Sequence, residues 1–120
     1  MPIVDLLVVV DSVETVPPGA ARAVADAVAG TLRSPPGRVW VRLQTLPAEH
    51  YAENASAASV RPVFVTVLHA DPPAPDAMAL EAAALAQAIG ACLGRGAEIV
   101  HVEYAPAGRG RVAFGGRLLR

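Results

Sequence analysis

Pro2, directly behind Met1, has the most distinctive chemistry open to any residue of this chain. A small second residue normally permits removal of the initiator, and the chain would then start with a secondary amine. In an apolar cleft such an amine is costly to charge, so its pKa falls toward neutrality and it can take a proton from a carbon beside a carbonyl. Guanidinium or other donors would then have to hold an acid group and stabilise the enolate oxygen as it develops. With Met1 retained the nitrogen is an inert amide, and Pro2 only opens a strand, a place where proline is tolerated.

Further along, His101 and Glu103 alternate on one strand and so share a face of the sheet. The pair could orient or protonate an enolate; the plainer reading is a satisfied histidine at a subunit interface. His50 and His69 show no spacing that completes a metal set with it, so no metal is expected. Arg109-Gly110-Arg111 offers paired guanidinium donors for a carboxylate or phosphate, or is simply an exposed turn. Trp40 could stack on a planar substrate or pack at an interface. Gly115-Gly116 lacks the strand-turn-helix context of a phosphate loop, which leaves nucleotide binding without support.

These residues must be placed by a small scaffold. A chain of 120 residues with 53% apolar content suits a single domain spanning 1–120. A formal net charge of -1 creates no field to gather a nucleic-acid backbone, which disfavours that partner. The single Cys92 cannot form an internal disulfide and fits a reducing cytoplasm. The first apolar run has no basic flank and is interrupted by Asp5, so neither a signal peptide nor a membrane span is expected. Abundant Pro, Gly and Ala suggest a GC-rich bacterial source.

The run from Ile3 to Val10 is β-branched and nearly continuously apolar, as in a central strand with a parallel neighbour. Pro17-Pro18-Gly19 precedes a helix expected over Ala20 to Leu32. From Arg38 to Leu46 the period changes to two, with Val39, Val41 and Leu43 on one face and Trp40, Arg42 and Gln44 on the other. Pro62 to His69 repeats the first strand. A helix is expected from about Asp76 to Leu93, with Met78, Leu80, Leu85, Ile89 and Leu93 as its core stripe. A strand follows from Ala97 to Tyr104, and the tail from Arg109 to Leu119 reads as a hairpin around Gly115-Gly116. Val41 to Ala48 matches Val100 to Ala107 at an offset of 59, while Pro2 matches Pro62 at 60, implying repeats 1–60 and 61–120 with one indel. The same order of elements, β-α-β-β-α-β, also fits a ferredoxin-like fold.

Met1-Pro2-Ile3, the phrase Arg38-Val39-Trp40-Val41-Arg42-Leu43 with Glu49-His50-Tyr51 behind it, and Ala113-Phe114-Gly115-Gly116-Arg117 together resemble the tautomerase superfamily. Its members include 4-oxalocrotonate tautomerase and macrophage migration inhibitory factor. The resemblance implies an α/β fold of two fused β-α-β repeats, a four-stranded mixed sheet with two helices on one face, and a homotrimer. It also implies an isomerase of small unsaturated 2-oxo acids without a cofactor, whose partner is a small-molecule carboxylate. Pro2 and His101 would then be catalytic. Arg42, Arg109 and Arg117 would hold the acid, and Trp40, Tyr51 and Phe114 would wall the pocket.

The chain departs from that pattern. Ser12 and Trp40 stand where tautomerases often carry arginines, His69-Ala70-Asp71-Pro72 stands where related decarboxylases and dehalogenases place theirs, and Ala113 replaces an acidic water-activating residue. Dehalogenation and decarboxylation therefore lose their residues. A non-catalytic binding or structural trimer, and a ferredoxin-like small-ligand sensor, are the alternative expectations.

Overall fold

The computed structural model describes residues 2–11, 16–56 and 60–120; Met1 and Ser12 lie outside the described residues. The apolar run Ile3–Val10 forms strand β1, followed by helix α1 (Ala20–Leu32) and strand β2 (Trp40–Pro47). The second half gives β3 (Val63–Leu68), helix α2 (Pro75–Leu93) and β4 (Val100–Tyr104), with a short 3-10 turn at Ala97–Ile99 before the last. Two two-residue strands, β5 (Ala113–Phe114) and β6 (Arg117–Leu118), make a terminal hairpin.

The main sheet has the order β2-β1-β3-β4, parallel within each half and antiparallel where β1 meets β3. This excludes the ferredoxin-like alternative, in which each β-α-β unit is split by a strand of the other. Here the two strands of each unit are direct neighbours. Val4, Leu6, Val8 and Val10 of β1, Val63, Val65 and Val67 of β3, and Val100 of β4 point into one core. Val24 and Val28 of α1 and Leu85, Ile89 and Leu93 of α2 complete it, so both helices cover the same face.

The register corrects the repeat alignment. Val4 pairs with Val41 and Val63 pairs with Val100, so 59 residues separate the halves at both strand pairs. No indel is needed. The residue equivalent to Pro2 is then Arg61, and Pro62 corresponds to Ile3. The reason is the period of two along a strand: an offset of 60 would put the valines of β3 on the wrong face.

Leu80, expected in the core, is 75% exposed. Counting back from Leu93 by fours gives Ile89, Leu85 and then residue 81, so Glu81 occupies the inward position and Leu80 is rotated away from it. At 19 residues and a mean hydropathy of 1.3, α2 is long and apolar enough to cross a bilayer. It packs here on α1 and β4.

Pro62 creates a vacancy in the central ladder. Val9 donates its N–H to the Pro62 carbonyl at 3.1 Å, but proline has no N–H to return to the Val9 carbonyl. Arg95, just behind α2, supplies the donor: its Nη1 reaches the Val9 carbonyl at 3.1 Å and also bonds the Arg61 carbonyl. Gly90 allows the chain to fold back so closely, since a Cβ there would run into the Arg95 carbonyl oxygen. Replacing Arg95 by Met keeps the aliphatic stem and removes both bonds. Urea unfolding of Arg95→Met is expected to show a loss of about 1–3 kcal/mol, whereas unchanged stability would mean that water serves these carbonyls equally well.

Candidate active site

Pro2 lies at the head of β1 with less than 2% of its surface exposed. Its carbonyl accepts the backbone N–H of Trp40 at 3.1 Å, which ties the start of β1 to the start of β2. Next along the strand, Ile3 joins Gly37, Arg38, Trp40 and Phe114 in lining a cavity of ≈ 250 Å³. By strand alternation the Pro2 ring faces the helix layer with Val4, while Ile3 and Trp40 open the cavity on the other side. The Pro2 nitrogen thus stands at the end of the sheet, between the two faces.

The aromatic walls are held from two directions. Gly37, at φ 77, turns the chain into β2, and the Trp40 indole Nε1 donates to its carbonyl at 3.1 Å. Phe114 meets Trp40 edge to face, with centroids 5.3 Å apart and planes at 84°. Phe114 can reach because β5 and β6 are joined by Gly115 and Gly116 at φ 57 and 85, the pair of positive angles that a tight two-residue hairpin requires. Arg117 stands opposite Phe114 across that hairpin.

A charge clasp fixes the segment that carries Phe114. Arg109 grips Asp71 at two points, Nε to Oδ1 at 2.8 Å and Nη2 to Oδ2 at 2.6 Å, and its Nη1 bonds the Arg120 carbonyl. Hydrogen bonding from Arg109 holds the Asp71 carboxyl below its ordinary value of 3.8. Arg42 is likewise engaged by Asp5, at 2.5 Å and 2.8 Å, and this bond raises its pKa. Both forks named as substrate binders thus already hold a carboxylate of their own chain.

His101 and Tyr51 lie elsewhere. His101 pairs with Phe64, which pairs with Leu7, so it sits about 17 Å along the strand direction from Pro2 and two strands away. It packs against Phe64 at 5.6 Å, and Tyr51 packs on the other side of Phe64 at 5.8 Å while donating its hydroxyl to Glu53 at 2.6 Å. Within one chain, therefore, Ile3, Trp40 and Phe114 line one cavity, with Pro2 one residue before Ile3 and Arg117 opposite Phe114 on the hairpin, and His101 and Tyr51 pack on Phe64 as a separate row on the open sheet face.

A cluster that the sequence reading passed over lies nearer to Pro2. Ile3 pairs with Leu68, and one further step of the antiparallel register brings Pro2 opposite His69. His69 Nε2 is 2.8 Å from Glu81 Oε2, and the Tyr104 hydroxyl donates to the same oxygen at 2.8 Å. The His69 and Tyr104 rings stack at 6.0 Å and 13°. Burial, and then the bond to Glu81, push the Tyr104 hydroxyl pKa upward. One signal could have found the cluster: a glutamate exactly in line with Leu85, Ile89 and Leu93 on α2 has to meet a partner inside. Among the described residues, no three His, Cys, Asp or Glu side chains gather as a metal site.

No family model matches the chain, and no curated protein matches it in sequence. Solved structures do match. A fused 4-OT symmetric trimer aligns with a TM-score of 0.76 at 21% identity, covering 98% of this chain and 94% of that one. Macrophage migration inhibitory factor from Oncomelania hupensis gives 0.76 at 18% identity over 100% of this chain and 83% of its own. A structure of Pt0534 inactivated by 2-oxo-3-pentynoate gives 0.76 at 19% identity, covering 98% and 94%.

The chain has the tautomerase fold. As a tautomerase-fold protein it follows that architecture nearly end to end, with the terminal hairpin against the head of β1. Trp40 is the sole tryptophan, so its emission reports whether Phe114 is in place. Asp71 has a depressed pKa, so its pairing is present above the ordinary aspartate range and is lost as pH falls through the lowered value. The expected result is emission that stays constant from neutral pH through the usual aspartate range and changes only below it. Asp71→Asn should shift the emission to the red already at pH 7, and identical spectra for the two proteins would contradict the clasp.

Proposed function

We propose that this protein is a keto–enol tautomerase of small unsaturated 2-oxo acids in which Pro2, exposed as the chain start by loss of Met1, shuttles the proton. What supports the reading is a buried proline at the head of a central strand, one residue before Ile3, which lines a cavity with Trp40 and Phe114, in a tautomerase fold. Apolar walls disfavour a protonated amine and so favour a free base near neutral pH. Substrate binds with its planar part against Trp40 and its acid group at Arg117, with Arg38 lining the cavity. Arg42 and Arg109 act as struts through Asp5 and Asp71 and not as the primary acid binders. The chemistry needs no cofactor.

Assembly completes the site in this reading. The sheet face away from the helices exposes Trp40 at 51% and Phe64 at 37%, and a fused 4-OT with this fold is a symmetric trimer. A homotrimer built through that face brings the His101 and Tyr51 row of one subunit to the Pro2 cavity of the next. The two occupied arginine forks favour one rival, a non-catalytic binding trimer, which predicts a mature protein that keeps Met1.

Two measurements test the proposal. Pro2→Ala is expected to lower ketonisation of phenylenolpyruvate by at least about 100-fold, the scale of a positioned general base; unchanged turnover would remove Pro2 from the mechanism. Mixed trimers of Pro2→Ala and His101→Ala chains should regain part of the activity that each homotrimer lacks, because a trimer with one intact pair of contributors has one working site. Mixtures no more active than the separate variants would place His101 outside the site.

A further inference from the structure

Glu81 is the inward-facing carboxylate of an otherwise apolar helix stripe, with only 16% of its side chain exposed. Among the described residues its recorded partners are His69 Nε2 and the Tyr104 hydroxyl, and no arginine pairs with it. A carboxylate only accepts, so His69 carries a proton on Nε2 and donates it to Glu81. His69 itself is held by its backbone, whose carbonyl accepts the Gly108 N–H at 2.7 Å. Opposite it across the β1–β3 ladder stands Pro2, at a Cα spacing of about 5 Å for an antiparallel pair, on the same helix-covered face.

The other charges around this end of the sheet are paired with one another or lie on other faces, Arg117 on the terminal hairpin among them. Asp71 and Arg109 neutralise one another at two points, Asp76 is exposed in the first turn of α2, Arg22 and Asp26 pair on the outer face of α1, and Arg38 lies on the β2 side. The carboxylate that faces the Pro2 end of the core is Glu81, held by His69 and Tyr104 and by no arginine.

We propose that Glu81, acting through His69, is a positioning residue for the Pro2 base: it stabilises the prolinium that forms during the reaction. The inference rests on the reading of Pro2 as that base. In the step concerned, the substrate C–H bond breaks, its electron pair becomes the enolate double bond, and the proton goes to the Pro2 nitrogen. The same proton later returns to carbon. Apolar walls alone free the amine but also weaken it as a base. A negative charge one strand away, in partly dehydrated surroundings, offsets that weakness. Tyr104 keeps Glu81 aimed at His69 and carries no charge of its own in this role.

The test is titration of the Pro2 amine by NMR in protein labelled with 15N-proline, together with the pH profile of kcat/KM. Glu81→Gln is expected to lower the amine pKa by about half a unit to one unit, since loss of a nearby anion disfavours the cation. The acidic limb of the kcat/KM profile should move down in pH by the same amount. Glu81→Asp should restore both, and Tyr104→Phe should leave both near the wild-type position. If the Gln variant does not fold, Glu81→Leu completes the Leu85–Ile89–Leu93 stripe and makes the same prediction. An amine pKa that is unchanged or raised in the folded charge-deleted variant overturns the proposal.

The two readings fail separately. A shifted amine in a protein without turnover contradicts the tautomerase assignment alone. An unshifted amine in an active enzyme that depends on Pro2 contradicts the role of Glu81 alone. A mature chain that keeps Met1 has no amine to titrate and overturns both.

Discussion

Antiparallel pairing of β1 with β3 is the constraint on which the remaining features depend. It joins the two β-α-β halves head to tail, so the start of β1 lies at the end of β3. Pro2 is thereby brought to His69, to the early turns of α2 and to the segment behind β4, none of which is near it in sequence. The register is strongly specified. A slip of one residue would turn Val4, Leu6 and Val8 out of the core and drive Asp5 into it.

The same pairing shows why a duplicated fold has two unlike ends. Arg61 stands where Pro2 stands in the other half, and its guanidinium is bound by the Asp11 carboxylate. Arg95 bonds the adjacent carbonyls of Val9 and Arg61. That end is tied by charge and hydrogen bonds, beside a smaller cavity of ≈ 150 Å³ lined by Asp11, Pro47, Ala48 and Glu49. At the Pro2 end the corresponding space is left to Trp40 and Phe114, which enclose a cavity. Symmetry in the backbone is thus broken by side chains, with arginine bonds at one end and an aromatic pair beside the larger cavity at the other.

Much of the architecture was legible because strand and helix periods are strong signals. The valine runs located β1 and β3, the limits of α1 agree with its flanking prolines and turn residues, and the alternation from Val39 to Gln44 assigned both faces of β2. The repeat offset was misread at Pro62 because identity of residue type outweighed parity along the strand. Leu80 was misplaced because hydrophobicity was counted without checking its angle on the helix. The site was only half legible. Trp40 and Phe114 meet, as the resemblance implied for the pocket walls, but the capture of Arg42 by Asp5 and of Arg109 by Asp71 depends on contacts 37 and 38 residues apart in sequence. The cluster of His69, Glu81 and Tyr104 joins three elements, and no local spacing encodes it.

Charge is distributed around the cavity in a consistent way. Arg42 and Arg109 are tied to Asp5 and Asp71, Trp40 and Phe114 wall the cavity with Arg38, and Glu81, bonded by His69 and Tyr104, lies on the helix side of the sheet. In the proposed reading, such a setting would keep a Pro2 amine neutral at rest and support its charge in transit. The most direct measurement of that central claim is mass mapping of the purified protein after incubation near pH 7 with 2-oxo-3-pentynoate, an electrophilic acetylenic 2-oxo acid. The account predicts a mature chain beginning at Pro2 with one adduct per chain on its nitrogen. A chain that still carries Met1, or an unmodified Pro2 peptide under those conditions, would contradict it.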